Sequence, residues 1–578
     1  MQNHRYFVSS HPGVRSALAS AAAGLLCAVT PAAAFSARAA APVPELILYN
    51  GHVFTADPAH PRAQAIAILG ERIVAVGTDT AVRGLAGASS RLVDLQGRTV
   101  IPGINDAHAH LGVWAKSWVS ADADSADPDW PTLSGVLRKA AETAPEGTPI
   151  FATIGSRIFR DPAIVRSSID AIVSDKPVVL TDFDGHGAIL NSAALKLLDI
   201  GDDIADPAGG RFERDADGHL NGVAREYAAS DIGRRASGLV SDQDAMDALT
   251  TQLQRAARYG ITTIQEMPVD VDASRFTRLA QAIPMPVRLR VTRMNQTTPA
   301  GPDYLEGQAA SSQPTPLVSV NGTKWVLDGV IFEGSFTPRQ EAAAKDALPA
   351  GPYSFVGLPP LFAPSVVEEM LRDSLQHGYQ LQFHVFGRPA ALELFDALEK
   401  TGGRRVWVGR RLRIEHGDGL TPDLIARAKS FGIVVSQQGT HFIILQTDTS
   451  LDAGFLDRLR ASQAQPLRSL LTAGVPLALG SDGPLNPWLG ILGAVTHPDR
   501  PTEAITIEQA IDANTHGSAY AEFAEKVKGR LTPGQLADLA VLSQDVFKVP
   551  ASSLAATTSV LTLVGGRVTW DAHVLQIP

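Results

Sequence analysis

The stretch that most constrains this chain is Ile101-Pro102-Gly103-Ile104-Asn105-Asp106-Ala107-His108-Ala109-His110. A buried strand over 99–104 alternates its side chains with a period of two, so His108 and His110 leave its end on the same side. Two imidazoles on one face can share one metal ion. An apolar run closing in His-x-His suits a metal site at the mouth of a parallel barrel, because strand ends deliver their last side chains into one cleft. From this segment alone, two loop histidines with no shared task fit equally well.

Runs of the same kind recur through the chain, each a few apolar, β-branched residues followed by polar ones. They are 99–104, 260–266, 287–293, 324–329, 379–384, 411–416, 432–437 and 475–482. Helical stretches at 242–259, 365–377, 390–401, 421–431 and 466–473 separate most of them. Strand and helix in alternation predict an α/β protein, a (β/α)8 barrel of the TIM type over 101–525. Residues 111–241 are too many for a βα connection and carry strands of their own at 149–155 and 177–182. They read as an inserted subdomain after the first barrel strand, placed to lid the cleft. Short Gly-punctuated strands over 41–100 return over 526–578. Neither end makes a comfortable sandwich alone, so the two are expected to pair into one small β-sandwich.

Composition narrows the function. With 45% hydrophobic and 19% charged residues in 578, the chain is globular, and a net charge of -10 leaves no basic field for nucleic acid. His4, Arg5 and Arg15 precede a small apolar run over 17–30, and Pro31-Ala32-Ala33-Ala34 offers a cleavage site. Residues 1–40 therefore read as a signal peptide, cut near Ala34 or Ala40, and the product as periplasmic or secreted. No later run approaches ~18 apolar residues, so no membrane span is expected. The single cysteine, Cys27, lies in that leader, where bulky Leu26 before it makes a poor lipidation site. A mature chain without thiols must hold any metal by His, carboxylates or a modified lysine.

The strand ends in order supply His108, His110, Lys324, His384, His416 and Asp482. Taken singly, His384 and His416 read as satisfied hydrogen-bonded histidines, Asp482 as a helix cap and Lys324 as a salt-bridge partner. Together, four histidines and an aspartate at strand ends of one barrel point to a metal site.

At these residues the sequence resembles the amidohydrolase superfamily and, within it, the amidohydrolase-3 branch that includes N-substituted formamide deformylase. The likeness rests on Pro102 to His110, on Asp184-Gly185-His186 with Asn191-Ser192-Ala193-Ala194-Leu195, and on Lys324 with Asp328-Gly329. It extends to Phe383-His384, Arg413-Ile414-Glu415-His416, Gly480-Ser481-Asp482 and the tail 529–539. The resemblance implies one or two zinc ions, with His108 and His110 on the more buried ion and His384 and His416 on the more exposed one. In the two-ion form Lys324 is N6-carboxylated and bridges them, with Glu266 as the fallback carboxylate. Asp482 ligates the metal and acts as general base and then acid on the hydrolytic water.

His186, in the insert, together with Gln438 and His441 after the seventh strand, is a candidate for substrate binding, and His186 also for catalysis. Loop hydrogen bonding is the alternative for both histidines. His497 stands where the branch often has an arginine, which removes a positive charge from the expected pocket and weakens the case for an anionic substrate. Trp114, Trp118, Phe183, Phe332 and Trp488 either line that pocket or belong to the core.

The expected function is hydrolysis of a C–N bond that is not a peptide, in an amide, formamide or cyclic amide. Lactone or ester hydrolysis on the same site, and a catalytically idle binding or regulatory protein, are the alternatives. The expected partner is a small-molecule substrate, with a homodimer as an open assembly.

Overall fold

The computed structural model describes residues 43–123, 125, 127–304, 315–329, 359–441 and 465–577. The expected leader 1–40 with Cys27, and Phe332, lie outside the described residues. At the centre, eight parallel strands pair in chain order: β1 (Ile104–Ala109), β2 (Ile261–Glu266), β3 (Arg288–Met294), β4 (Val318–Val326), β5 (Leu381–Val385), β6 (Arg413–His416), β7 (Val434–Gln437) and β8 (Leu477–Leu479). This is the expected α/β barrel, nearly closed. At the seam between β8 and β1, the Asp482 N–H donates to the His108 carbonyl at 2.9 Å. Gly480 makes that approach feasible, since a Cβ there would lie 2.4 Å from the His108 backbone nitrogen.

Helices cover the outside because their apolar residues recur at helical spacing. In Asp242–Arg258 the buried face is Ala245, Leu249, Leu253 and Ala256, spaced by three or four. Ser241 caps it by accepting the Asp244 N–H, and Asp242 and Arg258 complement the helix dipole at either end. Pro364–His377 begins with proline in its first turn and stops at Gly378, whose φ of 74° is the left-handed cap that ends many helices. The strands buried on both faces carry short apolar, β-branched runs, and seven of the eight lie at or beside the runs read from the sequence.

The first strand differs from the sequence expectation. Thr99–Pro102 belongs to a different sheet from β1, and the chain changes sheets at Gly103. There the Gly103 N–H donates to the Asp538 carbonyl at 2.9 Å and the Ile104 N–H to the Gly260 carbonyl at 3.0 Å. A Cβ at Gly103 would sit 2.2 Å from Thr262 Oγ1. Every residue on both sides of the switch is buried, so no in–out alternation marks it. The fourth strand likewise begins at Val318, placing Lys324 inside it rather than at its start.

The two chain ends form a β-sandwich. One sheet orders Arg72–Gly77, Ala65–Leu69, Leu46–Tyr49 and Arg91–Asp94. The other orders Arg567–Asp571, Ser559–Val564, Leu539–Leu542, Thr99–Pro102, His52–Phe54 and Arg62–Ala63. The ends join where Leu539 to Val541 run antiparallel to Val100 to Pro102. Leu48, Ile66 and Val93 of the first sheet share a core with Val100, Leu539 and Leu561 of the second.

The insertion after β1 builds a six-stranded mixed sheet, ordered Gly210–Arg214, Leu220–Glu226, Gly187–Leu190, Val178–Asp182, Ile150–Ile154 and Val119–Ser120. Only the strands over 150–154 and 178–182 were legible beforehand. Tyr227 fastens the insert to the end of β4: its hydroxyl accepts the Val326 N–H at 2.9 Å and donates to the Val326 carbonyl at 3.1 Å. Among the described residues, no helix is long and apolar enough to cross a membrane.

Candidate metal centre

The C-terminal ends of β1, β4, β5 and β6, and the loop after β8, bring His108, His110, Lys324, His384, His416 and Asp482 together. The protons on the four histidines are fixed by what stands behind each ring. His108 Nδ1 faces Glu415 Oε2 at 2.8 Å, His110 Nδ1 the Met267 carbonyl at 2.6 Å, and His384 Nε2 the Gly329 carbonyl at 3.2 Å. His416 Nδ1 faces Gln438 Oε1 at 2.8 Å, and that amide is oriented by its Nε2 donating to the Ser436 carbonyl at 3.0 Å. These four partners accept; Gln438 Nε2 also lies 3.2 Å from His108 Nδ1, but the Glu415 carboxylate is nearer at 2.8 Å and charged, so each facing nitrogen carries the proton and the opposite nitrogen carries a bare lone pair. Nε2 is therefore free to ligate in His108, His110 and His416, and Nδ1 in His384.

The bare nitrogens of His108 and His110 converge, and the His384 and His416 rings stand close by. His108 Nε2 and His110 Nε2 lie 3.2 Å apart, with Lys324 Nζ 3.0 Å from the former. Asp482 Oδ1 is 3.5 and 3.4 Å from the same two nitrogens. The His384 and His416 ring centroids are 4.4 Å apart, and those of His108 and His416 5.1 Å. One ligand atom each from His108, His416 and Asp482 fall within 4.8 Å of one another. Two unprotonated nitrogens at such a distance have no hydrogen to share, so this donor set fits a cation.

Electrostatics keeps the set in ligand form. Burial pushes all four imidazoles down, His110 to about 3, so they are neutral at pH 7. Burial also pushes Lys324 down, to about 8. For Asp482, burial works upward, but the surrounding His108, His441, His416 and His110 outweigh it and hold the carboxyl well below the usual range.

A cavity of about 760 Å³ opens onto the centre and is lined by His110, Lys324, His384, His416 and Asp482 from the barrel. Phe183, Asp184, His186, Glu226, Trp114 and Trp118 line it from the insert. His186 Nδ1 donates to Glu226 Oε2 at 2.8 Å. Burial works to lower this imidazole, but Glu226, Asp184 and Asp482 raise it to about 9. His186 is therefore a cation in the cavity wall at neutral pH. His441 Nε2 lies 3.3 Å from Asp482 Oδ2.

Several expectations change with this placement. Gln438 is fully buried behind His416 and does not line the cavity. The ring it holds has a fixed depth in the barrel, which put Gln438 in the layer behind. Glu266 has both oxygens on the Leu111 N–H at 3.0 Å, where it steadies the turn after His110. His497 is buried, with Nε2 donating to the Gln465 carbonyl at 3.0 Å, and is absent from the cavity wall. Trp488 is core, its indole N–H on the Tyr259 carbonyl, whereas Trp114, Trp118 and Phe183 line the cavity.

Glu415 and Glu226 carried no assigned role in the sequence. Glu415 left a trace, as one of two charges alternating with apolar residues in Arg413-Ile414-Glu415-His416. Glu226 left none, since it meets His186 only through the pairing of two insert strands.

Comparison with known proteins agrees with this geometry. The sequence profile described as the amidohydrolase family matches residues 91–570. N-substituted formamide deformylase of Arthrobacter pascens is 27% identical over 551 residues, covering 91% of this chain and 98% of its own. Protein LONG AFTER FAR-RED 3 of Arabidopsis thaliana is also 27% identical, covering 91% of each chain. An uncharacterized metal-dependent hydrolase from Pyrococcus furiosus shares the fold, with a TM-score of 0.61 at 21% identity over 87% of this chain and 100% of its own. With barrel, sandwich and converging histidines already in place, a match along most of its length establishes that the chain belongs to the amidohydrolase family.

Proposed function

We propose that the protein is a zinc-dependent hydrolase of non-peptide C–N bonds in amides, formamides or cyclic amides. One observation carries the reading. Four imidazoles are each pinned through one nitrogen by an acceptor, and the bare nitrogens of His108 and His110 face Asp482, with Lys324 on His108. A donor set of imidazole nitrogens and carboxylate oxygen without sulfur suits zinc. The similarity to N-substituted formamide deformylase favours a carbon–nitrogen bond over an ester.

When bound, zinc polarises a carbonyl and lowers the pKa of water from 15.7 toward ~7. His108, His110, His384 and His416 would hold it, with Asp482 and Lys324. At a pKa of about 8, Lys324 keeps a neutral fraction of about a tenth at pH 7. That neutral amine is the form that adds carbon dioxide, releasing one proton and leaving a carbamate whose oxygens would be further donors to the metal. Asp482, ionised and steadied by His441, accepts the proton of the attacking water and hands it to the leaving nitrogen. His186 donates its Nε2 proton toward the substrate's carbonyl oxygen from the insert side.

Metal analysis of the purified protein and paired amide and ester panels test the reading. We expect one or two zinc ions per chain and turnover of amides or formamides. Asp482→Asn should lower turnover by at least ~100-fold. Metal-free protein, or esterase activity alone, would refute it.

A further inference from the structure

We propose that Glu415, clamped by Arg413, is the positioning residue that fixes the His108 proton on Nδ1 and so prepares Nε2 for metal. The inference rests on the metal-centre reading above. Arg413 and Glu415 alternate along β6 and so project to the same side of the strand. Arg413 Nε donates to Glu415 Oε1 at 2.7 Å and Nη2 to Glu415 Oε2 at 3.0 Å, a fork on both oxygens. Nη2 also donates to the Ala107 carbonyl at 2.7 Å, so one guanidinium holds both the carboxylate behind the His108 ring and the backbone that carries that ring.

The clamp is itself anchored. Arg413 Nη1 donates to Gln265 Oε1, and Gln265 Nε2 donates to Asn105 Oδ1 at 3.2 Å. Asn105 Nδ2 in turn donates to Glu522 Oε1 at 2.7 Å, where Lys528 Nζ closes the chain at 2.7 Å. Every member is buried. Stability does not account for this arrangement, since a buried ion pair replaced by well-packed apolar side chains is often neutral or stabilising. What apolar residues could not supply is a charged acceptor at 2.8 Å from His108 Nδ1. The Arg413 fork places an N–H on each Glu415 oxygen, and a carboxylate held in this way faces His108 as an acceptor. Such a carboxylate fixes the tautomer of a ligand histidine and increases its basicity.

The test uses full-length wild type, Glu415→Gln and Arg413→Lys. Zinc affinity is measured by chelator competition, and the His108 tautomer by 15N chemical shifts of histidine-labelled, metal-free protein. Glu415→Gln should weaken zinc on the order of 10–100-fold. It should also lose the uniform Nδ1–H signal of His108. Arg413→Lys should move both readouts in the same direction, because an ammonium cannot fork onto two oxygens. Thermal unfolding establishes which variants fold, and Arg413→Lys decides if Glu415→Gln does not. Folded variants that bind zinc within twofold of wild type and keep the His108 tautomer would overturn the proposal. Wild type that takes up no zinc overturns the metal-centre reading instead, while the metal-free tautomer still decides the positioning role.

Discussion

His186 stands 5.0 Å, ring to ring, from His384, yet its protonation is opposite. His384 has a carbonyl behind it and is neutral; His186 has the Glu226 carboxylate and is charged. The imidazole at about 9 in the folded chain lies above its ordinary value of 6.5, which fixes the sign of two effects. The charged pair contributes stability that is fully present below pH 6.5 and is lost as the pH rises through about 9. The same loss removes the cation from the cavity wall. Steady-state kinetics of His186→Asn should therefore give a KM several-fold above wild type at pH 7, the gap closing above about pH 9. A gap unchanged at pH 10 would mean that the charge is not what binds substrate.

At the scale of elements, two glycines set how the strands meet. Gly103 lets the chain pass from the sandwich sheet into β1 beside Thr262, and Gly480 lets β8 close against the His108 backbone. A backbone atom cannot rotate away as a side chain can, so Gly480→Ala forces the seam apart. Urea unfolding should show a loss of ~1–3 kcal/mol, the cost of overpacking a tight interior. The seam carries His108 and Asp482 together, so metal affinity should fall in parallel. A variant as stable as wild type would show that the seam is looser than a 2.4 Å approach implies.

For the whole molecule, the two ends of the chain form one β-sandwich beside the barrel. Removing residues 537–578 would take three strands from the six-stranded sheet and uncover Val100 and Ile101, both fully buried, directly before β1. We expect such a truncation to lose cooperative thermal unfolding by circular dichroism, since the first metal-ligand strand would enter the barrel from a sheet without its central pairing. A sharp transition near the wild-type midpoint would show that the barrel stands alone. The insert is tied down differently, through Tyr227 on Val326, and the residue before it, Glu226, pairs with His186 inside the insert, so adjacent residues anchor the insert and charge the cavity wall.

The sequence by itself determined the barrel and its order of strand ends. Strands buried on both faces are rich in apolar, β-branched residues, and the histidines at or near their ends, such as His108, His384 and His416, recur in the same barrel order. It also marked both chain ends as β-structure through their glycine-punctuated strands. Tertiary structure alone decided where one apolar run changes sheets at Gly103, because continuous burial leaves no periodic mark at a sheet switch. It moved Gln438 behind His416 and His497 out of the cavity, and it found Glu226 for His186 and Glu415 for His108. Those assignments depend on which side chains meet across 22 to 307 residues of chain. No local pattern encodes such meetings: spacing reports which face a residue shares with its neighbours, while its protonation is set by the atom the fold places behind it.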